Sequence, residues 1–308
     1  MNIQQLEYIV AVDRLKHFAR AAAACNVTQP TLSMMIQKLE EELNVEIFDR
    51  STSPVTTTNI GDALIKQAKV ILYNISQIKE IALVNRTSIS GDLKFSIIPT
   101  VAPYLLPKFF TQLKENLPDL HCRVSEMRTD TIINKLKNAE IDLAILSTPL
   151  DIPSLLEIPI YFERFFIYIS PGEELYNKKD ITGNDLDMEK LWVLEEGHCF
   201  RAQILNICHK ENISKQQYEA GSIQNLVKVV DLNGGYTLIP ELHIENLTEA
   251  QLKNVRKFSG DEPRREISLV FRQDFVRERL LNEIVKCIKN IIPEDMMDAR
   301  LSKFRVKL

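Results

Sequence analysis

Residues 18–43 read FARAAAACNVTQPTLSMMIQKLEEEL, and this stretch decides how the front of the chain folds. The run ARAAAAC is dense in alanine, the best helix former. Asn26, Val27 and Thr28 interrupt it. Thr28 is a good N-cap for a second helix, and Pro30 falls in its first turn, where a missing N–H costs little. That helix is expected to run to about Leu43. Leu32, Met35, Ile36, Leu39 and Leu43 recur at 3-4 spacing and should face a core. The other face carries Gln29, Thr31, Ser33, Met34, Gln37 and Lys38. A short turn between two helices, the second opening on small polar side chains, matches a recognition helix in a major groove. Gln bonds adenine edges, Ser and Thr reach bases or phosphates, and Lys38 neutralises a phosphate. A plain helical hairpin has the same pattern. Charge does not decide between them: residues 1–58 hold five basic and seven acidic side chains, against the usual basic footprint.

After the recognition helix comes IFDRSTSPVTTTNIG, residues 47–61. A β-branched stretch broken by proline points to a small two-stranded wing, with Arg50 at its root as a backbone clamp. From Asn59 to about residue 88 the chain can form one long helix. Leu64, Ala68, Ile71, Ile75, Ile78 and Ala82 are spaced 4, 3, 4, 3 and 4, an a/d seam fit for a helix pair. The competing assignment is a core helix of one domain. Its place right after the wing favours a dimer linker, which would present two recognition helices to two half-sites.

From Gly91 onward strands and helices alternate. LKFSIIP, HCRVSEM, IDLAILS, FERFFIYIS, KLWVLEE, GGYTLIP and EISLVFR read as strands. The helices fall near 102–118, 129–140, 222–233 and 275–291. Alternation argues for a mainly parallel sheet. A crossing near 163 and a return near 267 divide the module into subdomain I (about 91–162 and 268–308) and subdomain II (about 163–267). Ligands in such folds sit at strand C-terminal ends. Thr100, Thr129 and Cys199 each follow a strand.

Length and composition set the class. The chain has 308 residues, 45% hydrophobic and 26% charged, with net charge −4. That suits a two- or three-domain globular protein without a general affinity for nucleic acid or membrane. No apolar run is long enough to span a bilayer, and the opening residues lack the pattern of a signal peptide. Five scattered cysteines do not make a secreted disulfide framework, so a reducing cytoplasm is expected. No metal-ligand cluster, phosphate loop or Ser/His/Asp order stands out, so neither metal nor cofactor is expected.

Residues 194–210, LEEGHCFRAQILNICHK, hold Cys199 and Cys208. If the segment is helical, the thiols lie roughly 14 Å apart along the axis and on opposite faces. A disulfide requires Cα atoms within about 7 Å, so such a bond would force the segment to refold. Cys199 stands at the expected helix N-terminus, whose dipole favours a thiolate, beside His198 and Arg201. A thiolate reacts with peroxide to a sulfenic acid, which a second thiol can condense with. The plain alternative is that both are small buried hydrophobes, as is expected for Cys25, Cys122 and Cys287.

The order of helix-turn-helix, wing, long helix and α/β module resembles the LysR-type transcriptional regulators. LEYIVAV (6–12) and HFARAAAACNVTQPTLSMMIQKLEEELNVEIFDR (17–50) carry the resemblance, with TQPTLS and IFDR its sharpest parts. It implies an all-α winged helix-turn-helix DNA-binding domain (1–58) and a linker and dimerisation helix (59–88). It further implies a two-subdomain, periplasmic-binding-protein-like α/β regulatory domain (91–308). Gln29, Pro30, Thr31, Ser33, Gln37, Lys38 and Arg50 become the DNA-facing residues. The fragments IPTVAPYLLP (98–107) and GHC with Arg201 and a second Cys nine on are similar to the peroxide-sensing members of that family. This resemblance implies that Cys199 reacts with hydrogen peroxide and Cys208 resolves it into a reversible disulfide. Thr100, Thr129, His198, Arg201, Gln203 and Arg265 would shape the pocket. Ala202 stands where related sensors often carry an acid, which leaves the proton donor open, and Gln203 is the neighbour to test. The implied protein is a dimer of dimers on double-stranded promoter DNA, with RNA polymerase as partner. The alternatives are a regulator answering to a small metabolite in the inter-subdomain cleft, with the cysteines incidental, and a thiol peroxidase. The DNA-binding front end argues against the enzyme.

Overall fold

The structure is a computed structural model and describes residues 1–82, 89–208, 220–260 and 262–297. The chain divides into two compact units, the front end through the long helix and nearly all of the remainder.

In the front unit, α1 (Ile3–Leu15) starts on a capping box in which Asn2 and Gln5 bond each other's backbone N–H. It is followed by α2 (Phe18–Ala24) and α3 (Gln29–Leu43). Thr28 caps α3 through Thr31 N–H, and Pro30 sits in the first turn, as the sequence predicts. Leu32, Ile36 and Leu39 are buried with Ile9, Val12 and Ala21 in one core. Leu43 departs from expectation. It lies 36% exposed, because the helix ends there and Asn44 turns the chain in a left-handed conformation. The wing is β1 (Phe48–Asp49) against β2 (Thr56–Thr57), antiparallel.

The long helix α4 spans Asn59–Ala82 in the described residues, and the expected tail 83–88 lies outside them. Its expected dimer seam is corrected in part. Ala68 is 1% exposed inside the front unit's core, and Leu64 and Ile71 pack against that same core. These three face this chain's own helices, because a coiled-coil seam and a core face share one spacing. Ile75 is half-buried, and Ile78 is 66% exposed, as are Ile60 at 49% and Ile81 at 55%. The side chain of Ala82 lies outside the described residues.

The second unit runs β3 (Gly91–Ile97), α5 (Ala102–Asn116), β4 (Leu120–Glu126), α6 (Thr129–Lys137), β5 (Leu143–Thr148) and the long β6 (Leu155–Ile169). It continues through α7 (Cys199–Ile207), α8 (Ile223–Asn233), β7 (Tyr236–Pro240), α9 (Glu249–Leu252), β8 (Val255–Arg256), β9 (Arg264–Arg272) and α10 (Glu278–Lys289). Strand order is β4-β3-β5-β9-β6-β7, with β8 also on β6. The expected mainly parallel sheet is a mixed one. Pairs β3–β4 and β3–β5 are parallel, while β5–β9, β6–β9, β6–β7 and β6–β8 are antiparallel. The reason is the crossing: the chain leaves for the second lobe along β6 itself and returns along β9, so the two strands run in opposite directions. Residues 155–164 of β6 pair with β9, and residues 165–169 pair with β7. Two lobes thus share one strand. KLWVLEE, expected as a strand, forms only isolated bridges, Leu191 to Tyr236 and Leu194 to Ala220.

The joint between wing and α4 leaves no room for a side chain. A Cβ on Gly61 would lie 2.0 Å from the Ile47 carbonyl oxygen. Thr58 Oγ1 fixes that approach by donating to the Glu46 carbonyl and accepting from Gly61 N–H. Gly61→Ala is expected to destabilise the front unit by about 1–3 kcal/mol, as overpacking does. Thermal unfolding checks it, and an unchanged midpoint would contradict this packing.

Candidate functional site

The helix α7 begins at Cys199 and is followed at once by Cys208 as its C-cap. Phe200 and Ile204 point inward and are fully buried, and Cys208, one turn beyond Ile204, is 1% exposed in the same core. Cys199 falls off that face and is half-buried. Nine helical steps separate the sulfur-bearing residues by roughly 14 Å along the axis, about twice what a disulfide spans. Joining them means unwinding α7 and drawing Phe200 or Ile204 from the core, each worth about 1.5–3 kcal/mol of burial.

Two polar clusters adjoin Cys199, one through each chain neighbour. His198, at the N-cap position, belongs to the first. Its side chain is 3% exposed, and its Nε2 is buried without a hydrogen bond, 3.6 Å from Glu195 Oε1. Burial lowers its pKa against the pull of Glu195, so the ring is neutral near pH 7. Arg128 and Asp130, which flank Thr129, act on the same ring. Arg128 also donates to the Glu196 carbonyl at 3.2 Å. Thr129, the first residue of α6, has its Oγ1 buried and unpartnered. Gln203 donates to Ser147 Oγ at 2.7 Å, leaving its Oε1 buried without a partner. Each of these buried polar atoms lacks a protein partner, and a buried atom of that kind is ordinarily satisfied by a small polar molecule such as water.

Phe200 belongs to the second cluster. The Arg265 guanidinium lies over its ring, 5.0 Å from the centroid. Arg265 donates from Nη1 to Thr100 Oγ1 at 2.9 Å and from Nη2 to the Thr100 carbonyl at 3.0 Å. Its Nε donates to Glu163 Oε2 at 2.8 Å. Burial opposes its charge, but Glu163, Tyr104, Tyr161 and Cys199 raise its pKa above the ordinary arginine value. The pair Arg264-Arg265, which reads as solvated charge, splits by strand alternation. Arg264 is exposed and Arg265 is 2% exposed. Arg201 does not join either cluster through the bond given by its Nη1, which goes to the Leu194 carbonyl at 3.0 Å.

Glu163, Tyr104 and Ser147 were not singled out in the sequence. The signal for Glu163 was available, a carboxylate inside the apolar run IPIYFERFFIYIS. A cleft of about 300 Å³ lies beside Thr100 and Tyr104, bordered across the lobes by Ser222, Gln224 and His243. Cys208 and Cys287 are buried, and Cys25 and Cys122 half-buried. Burial pushes the Cys122 thiol up to about 11 and raises Cys25 and Cys287 as well. Those three are poor nucleophiles at neutral pH.

On α3, Gln29, Pro30, Thr31, Gln37 and Lys38 are exposed. Thr31 shares a hydroxyl bond with Thr28, and Gln37 donates to Glu41. Arg50 is turned onto the protein, bonding Glu40 at 2.7 Å and Ser33 at 3.3 Å and lying over Phe18. Its side chain remains 41% exposed.

Residues 3–62 match the model of the bacterial regulatory helix-turn-helix proteins of the LysR family, and residues 86–291 match the LysR substrate-binding domain. This chain belongs to the LysR family. Within the family it is 36% identical to the hydrogen peroxide-inducible genes activator of Haemophilus influenzae, over 88% of this chain and 91% of that one. It is 34% identical to the DNA-binding transcriptional dual regulator OxyR of Escherichia coli K12, over 88% and 90%. Among solved structures it resembles a full-length Pseudomonas aeruginosa OxyR carrying a cysteine-to-aspartate change. There the TM-score is 0.78 and the identity 31%, covering 94% of this chain and 98% of that one. A peroxide-bound cysteine variant of Corynebacterium glutamicum OxyR gives a TM-score of 0.62 at 28% identity, covering 94% and 92%. The LysR-family α/β fold and its helix-turn-helix are thus both present here. Among the described residues no helix is long and apolar enough to cross a membrane, and no group of metal-ligating side chains is assembled.

The cleft histidine of this LysR-family domain gives a pH test. Burial holds His243 down at about 4, against 6.5 when unfolded. A depressed histidine contributes stability above the unfolded value and loses it as pH falls. Unfolding free energy is expected to drop between pH 6.5 and about 4. His243→Asn should remove part of that slope. Denaturant melts at about pH 7, 5.5 and 4.5 check it, and an equal slope in the variant would contradict the assignment.

Proposed function

We propose that this chain is a hydrogen peroxide-sensing, DNA-binding transcriptional regulator, an activator of oxidative-stress genes switched by a reversible Cys199–Cys208 disulfide. The observation that carries the reading is the placement of α7. A half-exposed thiol opens the helix beside unpartnered polar atoms, and a buried thiol closes it. The names of its relatives, hydrogen peroxide-inducible genes activator and OxyR, support the same reading.

The chemistry balances without a cofactor. The Cys199 thiolate attacks one peroxide oxygen, the O–O bond breaks, and the leaving hydroxide takes a proton to become water. Cys199 is then a sulfenic acid. The Cys208 thiol attacks its sulfur, a second water leaves, and the disulfide remains. Thr100 and Thr129 orient the peroxide, Arg265 holds Thr100, His198 and Gln203 shape the pocket, and Arg201 supports it from behind by holding the Leu194 carbonyl. No turnover is required, so the protein acts as a sensor and not as an enzyme.

The refolding of α7 and its connection would move the lobes and, through α4, the recognition helices. In this reading residues 1–58 bind promoter DNA through Gln29, Pro30, Thr31, Ser33, Gln37, Lys38 and Arg50. Residues 59–88 pair two chains through the later part of α4, where Ile75 is half-buried and Ile78 exposed, and residues 91–308 sense. Dimers of dimers act in the cytoplasm, with RNA polymerase as the partner on DNA.

Thiol mapping by mass spectrometry after brief, low peroxide tests the reading, on wild type, Cys199→Ser and Cys208→Ser. The expected outcome is a Cys199–Cys208 bond while Cys25, Cys122 and Cys287 stay reduced. Cys208→Ser should stop at the sulfenic acid. If neither Cys199 nor Cys208 reacts faster than a free thiol, the redox reading fails. A regulator answering to a metabolite in the 300 Å³ cleft would replace it.

A further inference from the structure

Glu163 is a fully buried carboxyl on the strand that both lobes share, and no step above uses it. The β6–β9 register sets Glu163 directly opposite Arg265. The two side chains are both 0% exposed and meet at 2.7 Å. A cross-strand pair of opposite charge sealed from water holds its geometry only if every remaining polar atom is satisfied. Here the satisfaction is nearly complete. Glu163 Oε1 accepts Leu242 N–H at 3.1 Å, from the second lobe. Glu163 Oε2 accepts Arg265 Nε and lies 3.4 Å from the Tyr104 hydroxyl, from α5 of the first lobe. Tyr104 in turn donates to the Thr100 carbonyl and accepts from Arg265 Nη2 at 2.9 Å.

This arrangement determines what Thr100 can do. Arg265 Nη1 donates to Thr100 Oγ1, so that oxygen is used as an acceptor and its own proton is left to point elsewhere. The same guanidinium lies over Phe200, the residue after Cys199. Glu163 is what fixes the guanidinium in the plane that serves both contacts.

We propose that Glu163 is a positioning residue for the peroxide reaction of Cys199, holding Arg265 so that Thr100 presents its hydroxyl as a donor to the peroxide. This rests on the peroxide reading of Cys199. Gln at 163 would set an N–H₂ group where the carboxylate accepts either Arg265 or Leu242, releasing the guanidinium from its plane. Asp keeps the charge but shortens the reach by one methylene.

The test follows the Cys199 peptide by mass spectrometry in the full-length protein. It compares the rate of oxidation by hydrogen peroxide with the rate of alkylation by iodoacetamide. Alkylation needs an accessible thiolate but no donor to a second oxygen. Thermal melts of each variant show that it is folded. Glu163→Gln should slow peroxide oxidation about tenfold or more while alkylation changes less than about threefold, as misplacement of a positioning group does. Glu163→Asp should fall between Gln and wild type. A merely structural role would change both rates together or neither, and either result overturns the proposal. If Glu163→Gln does not fold, the rate ratio in Glu163→Asp decides: a ratio equal to wild type overturns the proposal. A wild type no faster than free cysteine would sink the peroxide reading first, and the positioning role with it. A fast wild type matched by an equally fast Glu163→Gln sinks the positioning role alone.

Discussion

The nine-residue helix that opens on Cys199 holds it apart from Cys208, and the sensing half of the molecule is built around that separation. One thiol sits at the helix start, where backbone N–H groups are unpaired and polar side chains gather. The other sits one turn past Ile204, inside the second lobe's core. A bond between them is incompatible with the helix that carries them. If the proposed disulfide forms, the reduced and oxidised states are two folds of one segment and not two ends of a continuous motion. Such a covalent two-state element can turn a small chemical event into a change of conformation.

The reduced form is held by groups from both lobes. Ser147 on β5 grips Gln203 of α7, and Arg128 reaches the loop before Cys199. Behind them the buried Glu163–Arg265 pair joins β6 to β9, with Tyr104 and Thr100 on one side and Leu242 on the other. Because β6 pairs with β9 along one part and with β7 along the other, this pair has neighbours from both lobes.

Much of this was legible in the sequence, and the reasons are specific. Thr28 and Pro30 mark the start of α3 because capping and a tolerated proline leave local signatures. The wing and the lobe crossing near 163 follow from the interruption by Pro54 and from the change in strand pattern. The α4 seam misled because Ala68 and Ile71 serve a core face with the same spacing as a coiled coil. The sheet was misjudged because alternation of strands and helices does not reveal that β6 continues through the crossing as one strand. Arg265 could be named only through resemblance. Its partner Glu163 was missed, since two residues 102 apart in sequence meet only through strand register. The end of α3 at Leu43 was legible, but Leu43 keeps the core spacing only in sequence, since as the last helical residue it lies 36% exposed.

Hydrogen exchange across residues 199–208 tests the central claim most directly, read on the reduced protein, the peroxide-treated wild type and peroxide-treated Cys208→Ser. The account predicts protected amides in the reduced protein and in Cys208→Ser. It predicts loss of that protection once the Cys199–Cys208 bond has formed. A disulfide-bonded wild type that keeps α7 protected throughout would contradict it, because the two thiols would then have met without the helix giving way.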